Sequence, residues 1–202
     1  MPNNRTLLIE FQTSVHHGSG FGLSGIVDRA ILRDGKGIPY LSGAALKGRF
    51  RSAAIRILGT ETCALKVAED CYRGSCKLCS VFGGPMRRGA AIFDNGYPAG
   101  ASKIVLEAQI GAGQSDVLAG GSEVRASTAI SRERRVVQKA HLYSTETVPP
   151  SVVFKSLIRG ELTESQDKLL RDCALILNTF GGDSSRGLGF CSYRLDAPKE
   201  GK

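Results

Sequence analysis

Two amphipathic helical patterns, each set between β-rich segments, constrain this chain more than any other feature. In the first, Leu46, Phe50, Ala53, Ala54, Ile57 and Leu58 recur at helical spacing behind Ser42, whose side chain can accept the free N–H groups of an opening turn. In the second, Thr163-Glu164-Ser165-Gln166 forms a capping box. Leu169, Leu170, Cys173, Ile176, Leu177 and Phe180 then supply an apolar face, with Gly181-Gly182 as the expected stop. Residues 6–13 alternate in part and read as a strand, and 26–33 as a second extended piece. Residues 89–94, 103–110, 151–159 and 189–195 complete the β set. The order strand, helix, strands, strand, helix, strand predicts an α+β, ferredoxin-like core with an antiparallel sheet and two helices on one face. A chain of 202 residues can bury one such core, so residues 1–202 read as a single domain.

Glycine is concentrated where this core would open to a ligand. The run His17-Gly18-Ser19-Gly20-Phe21-Gly22-Leu23-Ser24-Gly25 contains Gly20-x-Gly22-x-x-Gly25, which formally satisfies a dinucleotide fingerprint. That motif needs a helix directly after the glycines, and Ile26–Leu32 reads as extended, so the cofactor reading is rejected. A phosphate-binding Gly-x4-Gly-Lys-Ser/Thr is also absent. Two readings stay open: a flexible loop, or a loop lying beside a sugar-phosphate backbone. A second glycine-rich segment, Gly181–Gly189, sets Arg186 and Gly187 among small residues whose amides and hydroxyls can hold phosphate.

Charge favours a polyanionic partner. Lys and Arg number 27 against 19 Asp and Glu, a formal charge of +8. They cluster twice, around Lys47, Arg49 and Arg51 on the first helix and around Arg132, Arg134 and Arg135 in a polar excursion. That excursion is either a protruding hairpin or a solvated face. Aromatics at 6% and no Trp argue against a continuous base-stacking platform, so backbone contacts are expected to carry most of the affinity. Asp28 stands as an isolated carboxylate among cations, either a reactive group or an ordinary turn cap or ion-pair partner. His16 and His17 could assist proton transfer or simply be hydrogen-bonded.

Cys63, Cys71, Cys76 and Cys79 place four thiols within 17 residues, the ligand set of a closed structural zinc site in an insertion over 60–82. The alternative is that one or two are merely buried and a ligand comes from elsewhere. Cys173 and Cys191 fall in the helical and strand patterns and read as core. No apolar stretch approaches the ~20 residues of a membrane span, and no signal-like segment opens the chain, so a cytoplasmic protein without a membrane partner is expected.

Several of these segments together resemble the RAMP superfamily, specifically the backbone subunits of CRISPR type III effector complexes. The resemblance rests on His17-Gly18-Ser19-Gly20 with Val27-Asp28, on Ile38-Pro39-Tyr40-Leu41-Ser42-Gly43-Ala44-Ala45-Leu46-Lys47-Gly48-Arg49-Phe50-Arg51, on Phe82-Gly83-Gly84, and on the 181–189 loop. The family's proline-glycine-serine-serine opening of the helix is replaced by Leu41-Ser42-Gly43-Ala44-Ala45. The resemblance implies an RRM-like core that polymerises along CRISPR RNA, beside neighbouring backbone copies or paralogues and other effector subunits. It also implies a thumb hairpin, here within 112–148, that wedges into the guide–target duplex. Asp28 occupies the place of the aspartate that cleaves target RNA in slicing members, in antiviral defence. The implied chemistry is in-line attack by a ribose 2′-hydroxyl, with Mg or Mn required. The implied guide contacts are Lys47, Arg49, Arg51 and Arg186, beside the glycine-loop residues Gly18, Ser19 and Gly20. Two other readings remain: a non-catalytic guide scaffold, and a stand-alone RNA-processing endoribonuclease using His16 or His17.

Overall fold

Alternation along the first strand sets the architecture. Leu7, Ile9 and Phe11 are buried while Thr6, Leu8 and Glu10 face the other side, so one face of the sheet is committed to a core. The computed structural model describes residues 4–23, 25–59, 71, 76–84, 87–111 and 121–196. Its elements in chain order are β1 (Arg5–Phe11), α1 (Gly43–Leu58), α2 (Lys77–Phe82), β2 (Ile92–Phe93), β3 (Tyr97–Pro98) and α3 (Ala101–Gly111). They continue with β4 (Glu123–Ile130), β5 (Val137–Thr147), β6 (Val153–Arg159), α4 (Glu164–Ile176), a short 3₁₀ turn (Ser184–Arg186) and β7 (Cys191–Leu195).

The main sheet runs β2-β6-β1-β7, with β3 also paired to β6 and every pair antiparallel. If β2 and β3 are taken as one interrupted strand, this is the ferredoxin-like order expected from the sequence. α1 packs on α4, and α4 on β7. Between helices and sheet, Phe11 meets Phe154 and Phe180 edge-on at 5.7 and 6.4 Å, and Phe50 lies 5.3 Å from Phe93 and 6.0 Å from Tyr193. Arg5, almost wholly buried, fastens β1 to α4 through an ion pair with Asp167, which also pairs with Arg171. Among the described residues, no helix is long and apolar enough to cross a membrane.

Both helix starts form as the sequence requires. Ser42 caps α1 by accepting from the Ala45 N–H, and Thr163 and Gln166 make a reciprocal capping box on α4. α4 ends earlier than expected, at Leu177 rather than at Gly181-Gly182, because Leu177 turns extended and carries the chain back toward β7. Ile176 is accordingly 42% exposed. The largest correction is residues 103–110, expected as a strand and found as α3. Among its described side chains only Leu106 is buried, Ile104 and Val105 being exposed, so no sheet claims these β-branched side chains. Residues 89–94 yield only the two-residue β2, and 26–33 is extended but held by isolated bridges rather than within the sheet.

Because β1 is antiparallel to β6 and β7, its C-terminal end lies beside their N-terminal ends. The glycine loop after β1, the β4–β5 hairpin before β6, and the glycine-rich segment before β7 therefore gather at one end of the sheet. Gly189 is needed for that convergence. Its φ is +72°, and a Cβ there would lie 1.9 Å from the Phe180 carbonyl oxygen. Gly189→Ala should lower stability by about 2 kcal/mol or more; an unchanged urea-unfolding midpoint would refute this packing.

Candidate nucleic-acid interface and thiol cluster

The two glycine-rich loops are joined directly. The Gly182 N–H donates to the His16 carbonyl at 2.9 Å, and a Cβ on Gly181 would lie 2.4 Å from the same oxygen. His16 is buried, and its Nδ1–H donates to the Glu146 carbonyl at 2.7 Å. The other edge of its ring turns to Gly18, where a Cβ would stand 2.8 Å from Nε2. His17 is spent differently: its Nε2 accepts from the Ser42 N–H at 3.2 Å, and its ring packs 5.1 Å from Phe180. Burial, and then the neighbouring His16, lower its pKa, so His17 is a neutral latch between the glycine loop and the cap of α1. Ser19 turns its hydroxyl on the carbonyls of Phe21 and Ala30, whereas Gly20, at φ +86°, has open space where a side chain would be.

Asp28 is exposed at the rim of this loop. Its Oδ2 accepts from the Ser144 N–H at 2.7 Å and the Ser144 hydroxyl at 2.9 Å. The backbone N–H bond, followed by the hydroxyl bond, holds the carboxyl below its usual range, so it is ionised at neutral pH. A cleft of about 410 Å³ is lined by His16, His17, Gly18, Gly20, Phe21, Asp28, Arg29, Ala30, Gly181 and Gly182. A second, of about 780 Å³, lies between the hairpin and the C-terminal loop and shares Arg29 as a wall. There Asp183, in left-handed backbone at φ +57°, receives Arg29 on Oδ2 at 2.7 Å and Arg186 on Oδ1 at 3.0 Å. Arg186 also donates to the Tyr143 hydroxyl at 3.0 Å, and Gly187 follows at φ +85°.

The remaining basic residues divide into two kinds. Arg49 donates to the Thr179 carbonyl and hydroxyl at 2.8 and 2.6 Å, and Arg51 to the Gly83 carbonyl at 2.7 Å. Both guanidiniums thus hold protein atoms. The Lys47 side chain makes no bond to a described residue, and Arg132, Arg134 and Arg135 are exposed around the turn joining β4 to β5. That hairpin carries Ile130 and Leu142 at 63% and 68% exposure, and β4 is solvated along both faces. It falls inside the 112–148 excursion, of which 112–120 lie outside the described residues.

Sequence reasoning missed Glu146, which is 1% exposed. Its Oε1 pairs with Arg33 at 2.6 Å and accepts from Ser122 at 2.7 Å, while Oε2 accepts from the Ile31 N–H at 2.9 Å. Burial raises the pKa of this carboxyl, but the three donors and the Arg33 charge outweigh it, and the net shift is downward. Nothing in the polar run Ser144-Thr145-Glu146-Thr147 marks it as buried, since the partners of its carboxylate lie on two other stretches of chain, 31–33 and Ser122.

Cys71, Cys76 and Cys79 are buried with all three Sγ atoms within 4.8 Å of one another, and Cys71 and Cys79 Sγ are 3.7 Å apart. Thiolates on a tetrahedral ion at ~2.3 Å would stand ~3.8 Å apart, so the cluster can hold a metal such as zinc. Cys63 lies outside the described residues. Cys173 and Cys191 sit apart in the core, where burial pushes their thiols up to about 12 and about 11.

The RAMP superfamily model matches residues 8–192, from the first strand through the last. The chain belongs to the RAMP superfamily. This RAMP chain is similar in fold to a subunit of a type III-B Cmr-beta complex bound to cognate target RNA, with a TM-score of 0.67 and 15% identity over 95% of this chain and 96% of that one. The apo state of a type III-B Cmr-beta complex gives 0.65 and 13% over the same shares. A chain of a type IV-B CRISPR complex gives 0.63 and 19%, covering 98% of this chain and 92% of that one. No curated protein sequence matches.

Two outcomes follow from the geometry of this RAMP chain. Glu146→Gln leaves Arg33 facing a neutral amide and should cost about 3 kcal/mol. Since the native pKa is lowered, the parent's contribution is complete above the ordinary value of 4.5 and lost as pH falls through the native value. The variant's unfolding free energy should therefore vary less below pH 4.5; parallel profiles would refute the assignment. Elemental analysis should find about one zinc per chain, lost in Cys76→Ser; a folded, zinc-free parent would exclude the site.

Proposed function

We propose that the protein is a CRISPR RNA-binding backbone subunit of a type III RNA-guided effector complex that cleaves complementary target RNA within the guide–target duplex. The observation that carries this reading is the Asp28 carboxylate, ionised and exposed at the mouth of a cleft walled by glycine backbone and Arg29, with the hairpin beside it. The glycines let a sugar-phosphate backbone approach, while Lys47, Arg186 and the arginines of the hairpin turn supply counter-charge. Base pairing with the guide supplies sequence selectivity, as the protein side of the cleft reads shape and phosphate. The exposed hairpin, with Ile130 and Leu142 outward, suits the wedge that the family places in the duplex.

In the cleavage step the target's 2′-oxygen attacks the adjacent phosphorus, the 5′-oxygen leaves, and a cyclic phosphate forms. An ionised Asp28 can accept the hydroxyl proton or hold a cation, but it cannot donate a proton. Mg or Mn at this point would take Asp28 together with RNA phosphate oxygens and would neutralise charge on the phosphate. Zinc at Cys71, Cys76 and Cys79, with Cys63 as the fourth thiolate, would be structural. Stand-alone processing by His17 has less support, because its Nε2 already accepts from Ser42.

Asp28→Ala, assembled with guide RNA and its partner subunits, should slow target cutting by at least about 100-fold while leaving guide and target affinity unchanged. Parental cutting by the variant would leave only the scaffold role.

A further inference from the structure

Asp28 is more firmly attached to the hairpin than to its own loop. Besides the two bonds that Oδ2 accepts from Ser144, the Asp28 N–H donates back to the Ser144 hydroxyl at 3.0 Å. The pairing continues along the chain: the Arg29 N–H donates to the Ser144 carbonyl at 3.1 Å, and the Glu146 N–H to the Arg29 carbonyl at 2.9 Å. The Ile31 N–H then reaches the Glu146 carboxylate. Asp28 to Ile31 thus lies as a short parallel ladder on β5, the strand that carries Leu142 toward the hairpin turn.

Two donors from one residue converging on one carboxylate oxygen fix the side-chain torsions of Asp28 and leave Oδ1, to which Ser144 donates nothing, as the working atom. Resting on the proposed cleavage function, we infer that Ser144 is the positioning residue that locks the Asp28 carboxylate to the hairpin strand, so that RNA displaced by the hairpin meets the carboxylate in a fixed register. The lock is solvent-exposed, so water replaces the lost hydroxyl and RNA affinity is little affected by its removal. Only the geometry of attack suffers, and small misplacements at a reacting centre are costly.

The test is single-turnover cleavage at saturating target by the guide-loaded complex, comparing the parent with Asp28→Ala, Ser144→Ala and Ser144→Thr. Ser144→Ala, which keeps the backbone donor but loses the hydroxyl, should cut about ten- to a hundredfold more slowly with parental target affinity. Ser144→Thr, which keeps the hydroxyl on a residue suited to a strand, should restore cutting to within about threefold of the parent. Parental cutting by Ser144→Ala beside an inactive Asp28→Ala overturns the inference and leaves the cleavage function standing. A separately measured loss of target affinity in Ser144→Ala of about tenfold or more also overturns it, since Ser144 would then be holding the hairpin rather than the carboxylate. Parental cutting by Asp28→Ala overturns the cleavage function itself.

Discussion

The placement of the glycine loop, the extended segment after it and the hairpin depends on one buried residue, Glu146. Glu146 binds the Arg33 guanidinium, the Ser122 hydroxyl and the Ile31 N–H through its side chain. Its carbonyl accepts from His16, and its N–H donates to Arg29. One residue therefore ties the start of the glycine loop, the extended segment after it and the base of the hairpin. Burying an ionised carboxylate costs several kcal/mol unless its lone pairs are met. Here three donors meet them, and a shift of the 31–33 segment or of Ser122 would leave charge unpaired in a dry place.

The sheet and the site are consequently held by different physics. The sheet layer is apolar and aromatic, organised by the alternation of β1, β6 and β7, and it tolerates an interruption between β2 and β3 because both still pair with β6. At the loop end, buried Val15, Val27, Ile31 and Val148 supply an apolar base, and directed hydrogen bonds and ion pairs set the parts relative to one another. His17 on the Ser42 cap, Gly182 on His16, and Asp183 between Arg29 and Arg186 are each such a joint. Directed bonds fix orientation better than apolar burial does, and on the proposed reading orientation is what these loops supply to the RNA backbone.

This division explains what could be read from the sequence. Ser42 and the Thr163–Gln166 box announce their helices because capping is local, satisfied within four residues. The antiparallel α+β core was legible in the succession of strand and helix patterns along the chain. The 103–110 segment misleads because β-branched residues favour a pleated, half-buried surface, and nothing in the chain reveals that no sheet edge awaits them. The ladder between Asp28 and Ser144 spans 116 positions and leaves no periodic trace. Arg49 and Arg51 read as solvent-facing cations on a helix edge; only the fold brings the Thr179 and Gly83 carbonyls within their reach.

Charge at the loop end is more nearly balanced than a formal +8 suggests. Arg29 and Arg186 are both committed to Asp183, and Asp28 is held by neutral donors, so two guanidiniums face two carboxylates around the shared wall of the clefts. Had Arg29 paired with Asp28 instead, the carboxylate would be neutralised in place and of little use as a base or ligand. Held by an amide and a hydroxyl, it keeps its full charge. A phosphate entering beside it meets repulsion that the local guanidiniums, already paired, offset only in part. On the proposed reading, that residual repulsion is the physical reason a divalent cation would enter with the RNA, while the exposed arginines of the hairpin turn would draw the strand in.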